Sequence, residues 1–170
     1  NLVLTGMMGV GKSTIGKKLA KKLKHKFVDV DKIIEEKENN TIKEIFKNKG
    51  ENYFRKIEKK ITLEVLKKDK LVIALGGGAF INTSIRREIK SSSTSFWLDL
   101  KIMSLLPRLK NIKKRPLLDE DDLEQSINKI YSERKKIYNE SNFRIKCDSI
   151  DEKEIINRII KLYENSGNKI

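Results

Sequence analysis

The sequence predicts an α/β fold, a five-stranded and mainly parallel sheet flanked by helices on both faces. Three observations predict it. Short apolar segments alternate with segments of helical periodicity along almost the whole chain. One of them, Leu71-Val72-Ile73-Ala74-Leu75, is a continuous apolar run, as a parallel strand covered on both faces reads. The first apolar run, Leu2-Val3-Leu4, leads straight into a glycine loop that opens a helix. At 170 residues the chain has the length for one domain built on such a sheet.

The elements follow in order. Strand one is Leu2 to Thr5, and a helix runs from Lys12 to about Lys24. Phe27-Val28-Asp29 reads as a short strand entering a helix near Ile33-Ile34. Thr41 caps the next short helix, whose Ile42, Ile45 and Phe46 share a face. Gly50 interrupts, and a longer helix carries Phe54, Ile57, Ile61, Leu63, Val65 and Leu66. The run from Leu71 to Leu75 ends in Gly76-Gly77-Gly78. A helix near Ile85 to Ile89, a strand from Ser95 to Asp99 and a short helix to about Lys110 come next. Lys110 to Asp122 has no apolar period, contains Pro116 and switches from basic to acidic, so it is expected to be a mobile loop. A helix from Leu123 to about Tyr138, a strand from Phe143 to Lys146 and a helix from Glu154 to Tyr163 close the chain.

Composition narrows the class. No apolar run approaches a membrane span, and the chain opens into its first strand with no charged-then-apolar leader. Cys147 is the single cysteine, which excludes an internal disulfide framework and fits a reducing cytoplasm. The formal net charge of +14 raises the question of nucleic acid. Lysines are spread over nearly every helix, often beside glutamates, as in Glu35-Glu36-Lys37-Glu38. Aromatics are only 6%, without the interleaved pattern of a stacking platform. The charge therefore reads as a solvated surface that also steers anionic ligands, with no nucleic-acid and no membrane partner. No helix shows a broad surplus apolar face, so a monomer is expected.

The segment Gly6-Met7-Met8-Gly9-Val10-Gly11-Lys12-Ser13 fits the phosphate-loop pattern G-x-x-x-x-G-K-[ST], and it lies between a strand and a helix, the context that gives the pattern meaning. Its glycines let backbone N–H groups turn in around an anion, and the helix start adds free N–H groups and a positive dipole end. Lys12 can reach the β- and γ-phosphates, and the Ser13 hydroxyl can ligate Mg²⁺. The ligand is a nucleoside triphosphate, expected to be ATP. The guanine signature N-K-x-D and the switch signature D-x-x-G occur nowhere, and no apolar strand ends in Asp-Glu as in a motor. A small kinase acting on a metabolite remains. Asp29 and Asp31 flank Val30 at the end of the second strand, where open α/β sheets bind ligands. The pair is expected to sit on extended chain with its carboxylates on opposite sides, one for Mg²⁺ and one for the hydroxyl that receives the phosphate. The same pair also suits a solvated turn at a helix start.

Gly6 to Gly16 resembles the opening of bacterial shikimate kinases, and so does Asp29-Val30-Asp31. Gly50-Glu51 with Phe54-Arg55-Lys56-Ile57-Glu58 resembles that family's substrate motif, Gly76-Gly77-Gly78-Ala79 its glycine run and Arg115-Pro116-Leu117-Leu118 its lid. Arg134 matches the arginine of the helix after the lid. The matches keep the family's order and spacing across almost the whole chain. The resemblance implies a P-loop, nucleoside-monophosphate-kinase-like fold with a substrate region at about 31–60 and a mobile lid at about 110–122. It implies ATP-dependent phosphorylation of the 3-hydroxyl of shikimate, giving shikimate 3-phosphate and ADP on the route to chorismate and the aromatic amino acids.

Each role carried over in this way has a physical sense. Arg55 and Arg134 would clamp the substrate carboxylate with planar guanidinium forks, and Glu58, three residues on, would orient Arg55. Gly76, Gly77 and Gly78 would let backbone N–H groups approach the ring hydroxyls. Asp31 would bind the reacting hydroxyl, while Asp29 with Ser13 would hold Mg²⁺. Gly9, Val10, Gly11, Lys12, Ser13 and Thr14 would cradle the phosphates. Arg115 would close over them, catalytic together with Lys12 and Asp31. Arg108 would stack on adenine, with Asp148 to Asp151 forming the other wall of that pocket. The alternatives are another small-metabolite kinase, such as a gluconate or nucleoside monophosphate kinase, and a nucleic-acid-stimulated NTPase. His25 reads as a surface residue and Trp97 as core.

Overall fold

The computed structural model describes residues 1–110 and 122–167. Five strands, β1 (Leu2–Thr5), β2 (Lys26–Asp29), β3 (Leu71–Ala74), β4 (Thr94–Asp99) and β5 (Phe143–Lys146), form one sheet in the order β2-β3-β1-β4-β5. All four pairings are parallel, with Val3 opposite Ile73 on one side and Ser95 on the other. Position in the sheet explains the sequence pattern. Central β1 and β3 are buried at every residue and read as unbroken apolar runs. Edge strand β5 is buried only at Ile145, so polar residues alternate with apolar ones.

Among the described residues the helices are α1 (Lys12–Leu23), α2 (Val30–Glu38), α3 (Ile42–Leu66), α4 (Thr83–Ser92), α5 (Ile102–Lys110) and α6 (Leu123–Tyr138), between strands, and α7 (Glu152–Asn165) after β5. Helix α1 packs on β2, β3 and α7, while α3 packs on α2 and α4. Gly16 lets α1 approach closely, because a Cβ there would lie 2.5 Å from the Phe27 ring. Thr41 caps α3 through a reciprocal box with Glu44. A short 3₁₀ turn, Ala79–Ile81, follows the glycine run and was not expected from the sequence. Its polar exit is Asn82, whose side chain accepts from the Ser84 and Ile85 N–H groups to cap α4. Residues 111–121, which include the expected lid with Arg115, lie outside the described residues. No described helix is long and apolar enough to cross a membrane. His25 is half-buried, with its ring Nδ1 2.7 Å from the Leu23 carbonyl, and Trp97 is fully in the core.

Because every pairing is parallel, the carboxyl ends of β1 to β4 lie along one edge of the sheet and deliver the glycine loop, Asp29, Gly76 to Gly78 and Asp99 there. As expected, Gly50 interrupts α3 and divides it into two helical stretches: it takes φ 79° and ψ 168°, a region open essentially to glycine alone. A Cβ at Gly50 would meet nothing within 4 Å, so a substitution there acts on the backbone and not on packing. Gly50→Ala is expected to lower stability by about 1–3 kcal/mol. The measurement is urea unfolding, where the midpoint should fall and the slope stay unchanged.

Candidate active site

The loop after β1 is shaped by glycines that carry positive φ: 130° at Gly6, 79° at Gly9 and 99° at Gly11. Gly11 occupies the N-cap of α1 and provides no side-chain cap, and the first turn of α1 holds no acidic residue. The dipole end and free N–H groups of α1 are therefore left for an external anion. The Lys12 ammonium donates to the Gly6 carbonyl at 2.9 Å and the Met7 carbonyl at 2.8 Å, which folds it over the loop. Ser13 Oγ donates to Asp29 Oδ2 at 2.5 Å, tying the start of α1 to the end of β2. Gly9, Gly11, Lys12, Ser13, Thr14 and Asp29 line one cavity, together with Asp31 and Gly77. Val10 is in the core, so only its backbone is available to a ligand.

Asp29 and Asp31 do not sit on extended chain as expected. Helix α2 begins at Val30, so Asp31 lies in its first turn and the two carboxylates are separated by the onset of a helix. Asp29 stands at the N-cap but makes no capping bond with its side chain, which goes to Ser13. Residues two apart on extended chain point to the same side, so the expected division does not follow from that geometry; here the helix onset separates Asp29, which meets Ser13, from Asp31.

A second cavity adjoins the first and is lined by Met8, Asp31, Ile42, Phe46, Phe54, Arg55, Glu58, Gly76, Gly77, Gly78 and Arg134. Asp31 and Gly77 border both cavities. Arg55 Nη1 donates to Glu58 Oε2 at 2.7 Å, and its Nε and Nη2 donate to Glu51 at 3.1 and 3.0 Å. Its guanidinium also lies 5.2 Å from the Phe54 ring centre. Arg134 is buried, and its Nη1 donates to the Gly77 carbonyl at 3.1 Å; the Tyr138 hydroxyl donates to the same oxygen.

The glycine run also has a role in packing that the sequence did not show. None of Gly76, Gly77 and Gly78 has positive φ, so freedom of the backbone is not the requirement. Space is. A Cβ at Gly76 would lie 2.5 Å from Asp31 Oδ1 and 2.8 Å from Glu58 Oε1, and one at Gly78 would lie 2.6 Å from Arg55 Nη1. The run is a bare strip of backbone on which the charged side chains of α2 and α3 rest.

The expected adenine side is less complete. Arg108 is exposed on α5 and lines neither cavity. Leu105 and Leu109 of the same helix pack where a Gly9 side chain would sit. Asp148 accepts from the Lys101 N–H and Ser104 Oγ at 3.2 Å, and Asp151 caps α7 through the Glu154 N–H at 2.7 Å. Cys147 is buried just after β5, with its thiol pushed up to about 12 by burial. Sequence reasoning did not assign Met8, Phe46, Phe54 or Tyr138 to the site. The one signal for Tyr138 is that it stands four residues after Arg134 on the same helix face.

Burial pushes the Glu58 carboxyl above its usual 4.5, against the opposing pull of Arg55 and then Arg134. A carboxyl raised on folding contributes stability that is complete below its unfolded value and is lost as pH rises through the folded value. Glu58→Gln should therefore gain stability relative to the parent chain as pH rises above the usual carboxyl value of 4.5. Urea unfolding of both proteins across this range measures it. A difference independent of pH would show that the carboxyl titrates as it does in the unfolded chain.

The family model described as shikimate kinase matches residues 8–164. The shikimate kinase of Sulfurihydrogenibium sp. is 42% identical over 160 residues, covering 94% of this chain and 95% of the relative. That of Persephonella marina is 40% identical over 160 residues, covering 94% and 96%. Among solved structures, shikimate kinase from Acinetobacter baumannii in complex with shikimate superposes with a TM-score of 0.94 at 31% identity, covering 99% of this chain and 95% of that one. A deoxyadenosine kinase from M. mycoides, with a TM-score of 0.65 at 18% identity over 96% and 98% of the chains, shares the fold alone. From the phosphate loop to the arginine-lined second cavity, the chain belongs to the shikimate kinase family.

Proposed function

We propose that this chain transfers the γ-phosphoryl group of ATP to the 3-hydroxyl of shikimate, giving shikimate 3-phosphate and ADP. The observation that carries the reading is the pair of adjoining cavities that share Asp31, one walled by the phosphate loop and the other by two arginines. The relative from Acinetobacter baumannii is described in complex with shikimate, which supports that acceptor for the second cavity. Neither a gluconate nor a nucleoside monophosphate acceptor is favoured by the relatives.

The loop N–H groups and Lys12 bind the phosphates and stabilise charge on the transferring group. Arg55 and Arg134 hold the acceptor carboxylate, and the neighbouring Phe54 and Ile42 exclude water on that side. Asp31, on the border, holds the reacting hydroxyl and accepts its proton as the new P–O bond forms and the bond to the ADP oxygen breaks. Ser13 and Asp29 offer hard oxygens 2.5 Å apart beside the phosphate cavity, a donor set that suits Mg²⁺, which takes few protein ligands and completes its shell with water and phosphate oxygens. When bound, Mg²⁺ would supply charge neutralisation at the β- and γ-phosphates. Arg115 is assigned to the lid at about 110–122, closing over the phosphates, and Arg108 to adenine. One domain, with its substrate region at about 31–60, acts as a monomer in the cytoplasm without nucleic-acid or membrane partners.

A coupled assay of ADP release tests the reaction, and its defining result is turnover that requires shikimate. ATP hydrolysis that responds to DNA or RNA and ignores shikimate would overturn it. Lys12→Ala should lower kcat by at least about 10²-fold. Arg134→Ala should raise the KM for shikimate roughly 10- to 100-fold, the loss of a charge-assisted pair, with a smaller change in kcat. An unchanged KM would remove Arg134 from the carboxylate clamp.

A further inference from the structure

Outside both cavities, one carboxylate gathers three elements. Asp99, at the carboxyl end of β4, is almost fully buried. Its Oδ1 accepts from the Tyr131 hydroxyl of α6 at 2.9 Å. Its Oδ2 accepts from Nε and Nη2 of Arg144, on β5, at 2.9 and 2.6 Å. The Arg144 guanidinium lies 4.6 Å from the Trp97 ring centre, and Trp97 Cδ1 lies 3.3 Å from where a Gly6 Cβ would stand. Tyr131 precedes Arg134 by three residues and Tyr138 by seven, so all three share one face of α6. Arg134 and Tyr138 both fasten that face to the Gly77 carbonyl at the end of β3. Tyr131 fastens it to the end of β4, on the other side of β1.

We infer that Asp99 and Tyr131 are positioning residues that set the rotation of α6 over the sheet edge and thereby aim Arg134 into the acceptor cavity. Apolar packing, with Ile127 fully buried, holds α6 down but resists rotation weakly, because dispersion contacts have little directionality. Two anchors on different strand ends fix rotation, where bonds to Gly77 alone would leave α6 free to pivot about one point. The Tyr131 bond is suited to the task because its acceptor is charged and held from behind by Arg144, and such bonds are shorter and stronger than neutral ones. Burial and the Asp99 carboxylate also push the Tyr131 hydroxyl up to about 12, so it remains a donor throughout the working range. Arg144 connects the same carboxylate through Trp97 to the first glycine of the phosphate loop, and this second arm stays in place when Tyr131 is changed.

The inference rests on the assignment of Arg134 to the acceptor carboxylate, and the test separates the two. Tyr131→Phe keeps the ring and removes only the hydroxyl. It is expected to raise the KM for shikimate roughly 3- to 10-fold, less than loss of the Arg134 side chain itself, because Arg134 is misaimed and not removed. The KM for ATP and kcat should stay within about 2-fold of the parent, and the thermal midpoint within a few degrees. A residue with only a structural role would lower the midpoint and leave this KM-against-kcat split absent. Arg134→Ala is assayed in parallel. If it raises the KM for shikimate while Tyr131→Phe does not, the positioning role is overturned and the clamp stands. If Tyr131→Phe depresses kcat or raises both KM values alike, the positioning role is likewise overturned, since the disturbance is not confined to the acceptor. If Arg134→Ala leaves the KM unchanged, the clamp reading fails first and the positioning role falls with it.

Discussion

The acceptor half of the site depends on one carboxylate that burial would rather keep neutral. Glu58 is 2% exposed, and desolvation is the largest influence on its titration. A single buried charge in this position would be costly, because water is not there to solvate it. Arg55 at 2.7 Å offsets that cost, and Arg134 contributes from further away. The relation runs both ways. Two arginines facing a cavity repel each other and need anions nearby, and Glu58 and Asp31 supply two on the cavity wall. The cavity wall is thereby kept organised and charged in advance, which lowers the ordering cost of binding an anion there. Lysine would serve less well in such surroundings, since an ammonium loses its proton far more readily on burial than a guanidinium.

That arrangement needs room, and the bare Gly76 to Gly78 strip makes it. Asp31, Glu58 and Arg55 come from α2 and α3 and converge on the space that side chains after β3 would fill. The parallel sheet explains why the strip is there at all. Four strand ends lie along one edge, so the phosphate loop after β1 is next to the strip after β3 and close to Asp29 after β2. Donor and acceptor sites are therefore neighbours because their strands are neighbours. Asp31, with Met8, Ile42 and Gly77, lines both cavities and marks the seam between them.

Features that depend on local sequence were legible, and those that depend on what packs against them were not. The phosphate loop declares itself because its glycines, lysine and serine act through the backbone of one short segment. Buried β1 and β3 declare themselves because both faces are covered, and Glu58 pairs with Arg55 at the predicted helical spacing. Arg134 could be placed only by family resemblance, because its neighbours on α6 are charged and exposed while it is buried against Gly77. The packing role of Gly76 and Gly78 was not legible for the same cause, since the side chains that fill their missing Cβ positions lie 18 to 45 residues away in the chain. Asp29 and Asp31 were read as extended chain because Val30 continues the apolar strand pattern, whereas α2 starts at that residue. The Asp99 to Tyr131 bond spans 32 residues and joins a strand end to a helix face, which no periodicity reports.

The two halves of the site are held by different physics, and this bears on how each tolerates change. The phosphate loop is specified by backbone conformation: positive φ at three glycines, with the Lys12 ammonium closed onto the loop carbonyls. Its shape survives changes in surface charge but not the addition of a Cβ, which at Gly6 would stand 2.5 Å from the Leu98 carbonyl oxygen. The acceptor half is specified by side chains from α2, α3 and α6 that are held by charge, so its geometry is only as good as the seating of those helices. Exposed pairs such as Lys37 with Glu64 or Arg158 with Glu154 contribute little to that seating, because water screens them. Buried polar contacts at strand ends, with Gly77 and Asp99 accepting from α6, can do it, since in a dry surrounding each bond has few alternative partners. Aiming of the acceptor site is in this way a property of the sheet edge, transmitted along one helix face, and the surface excess of +14 is left to draw two anionic substrates toward it.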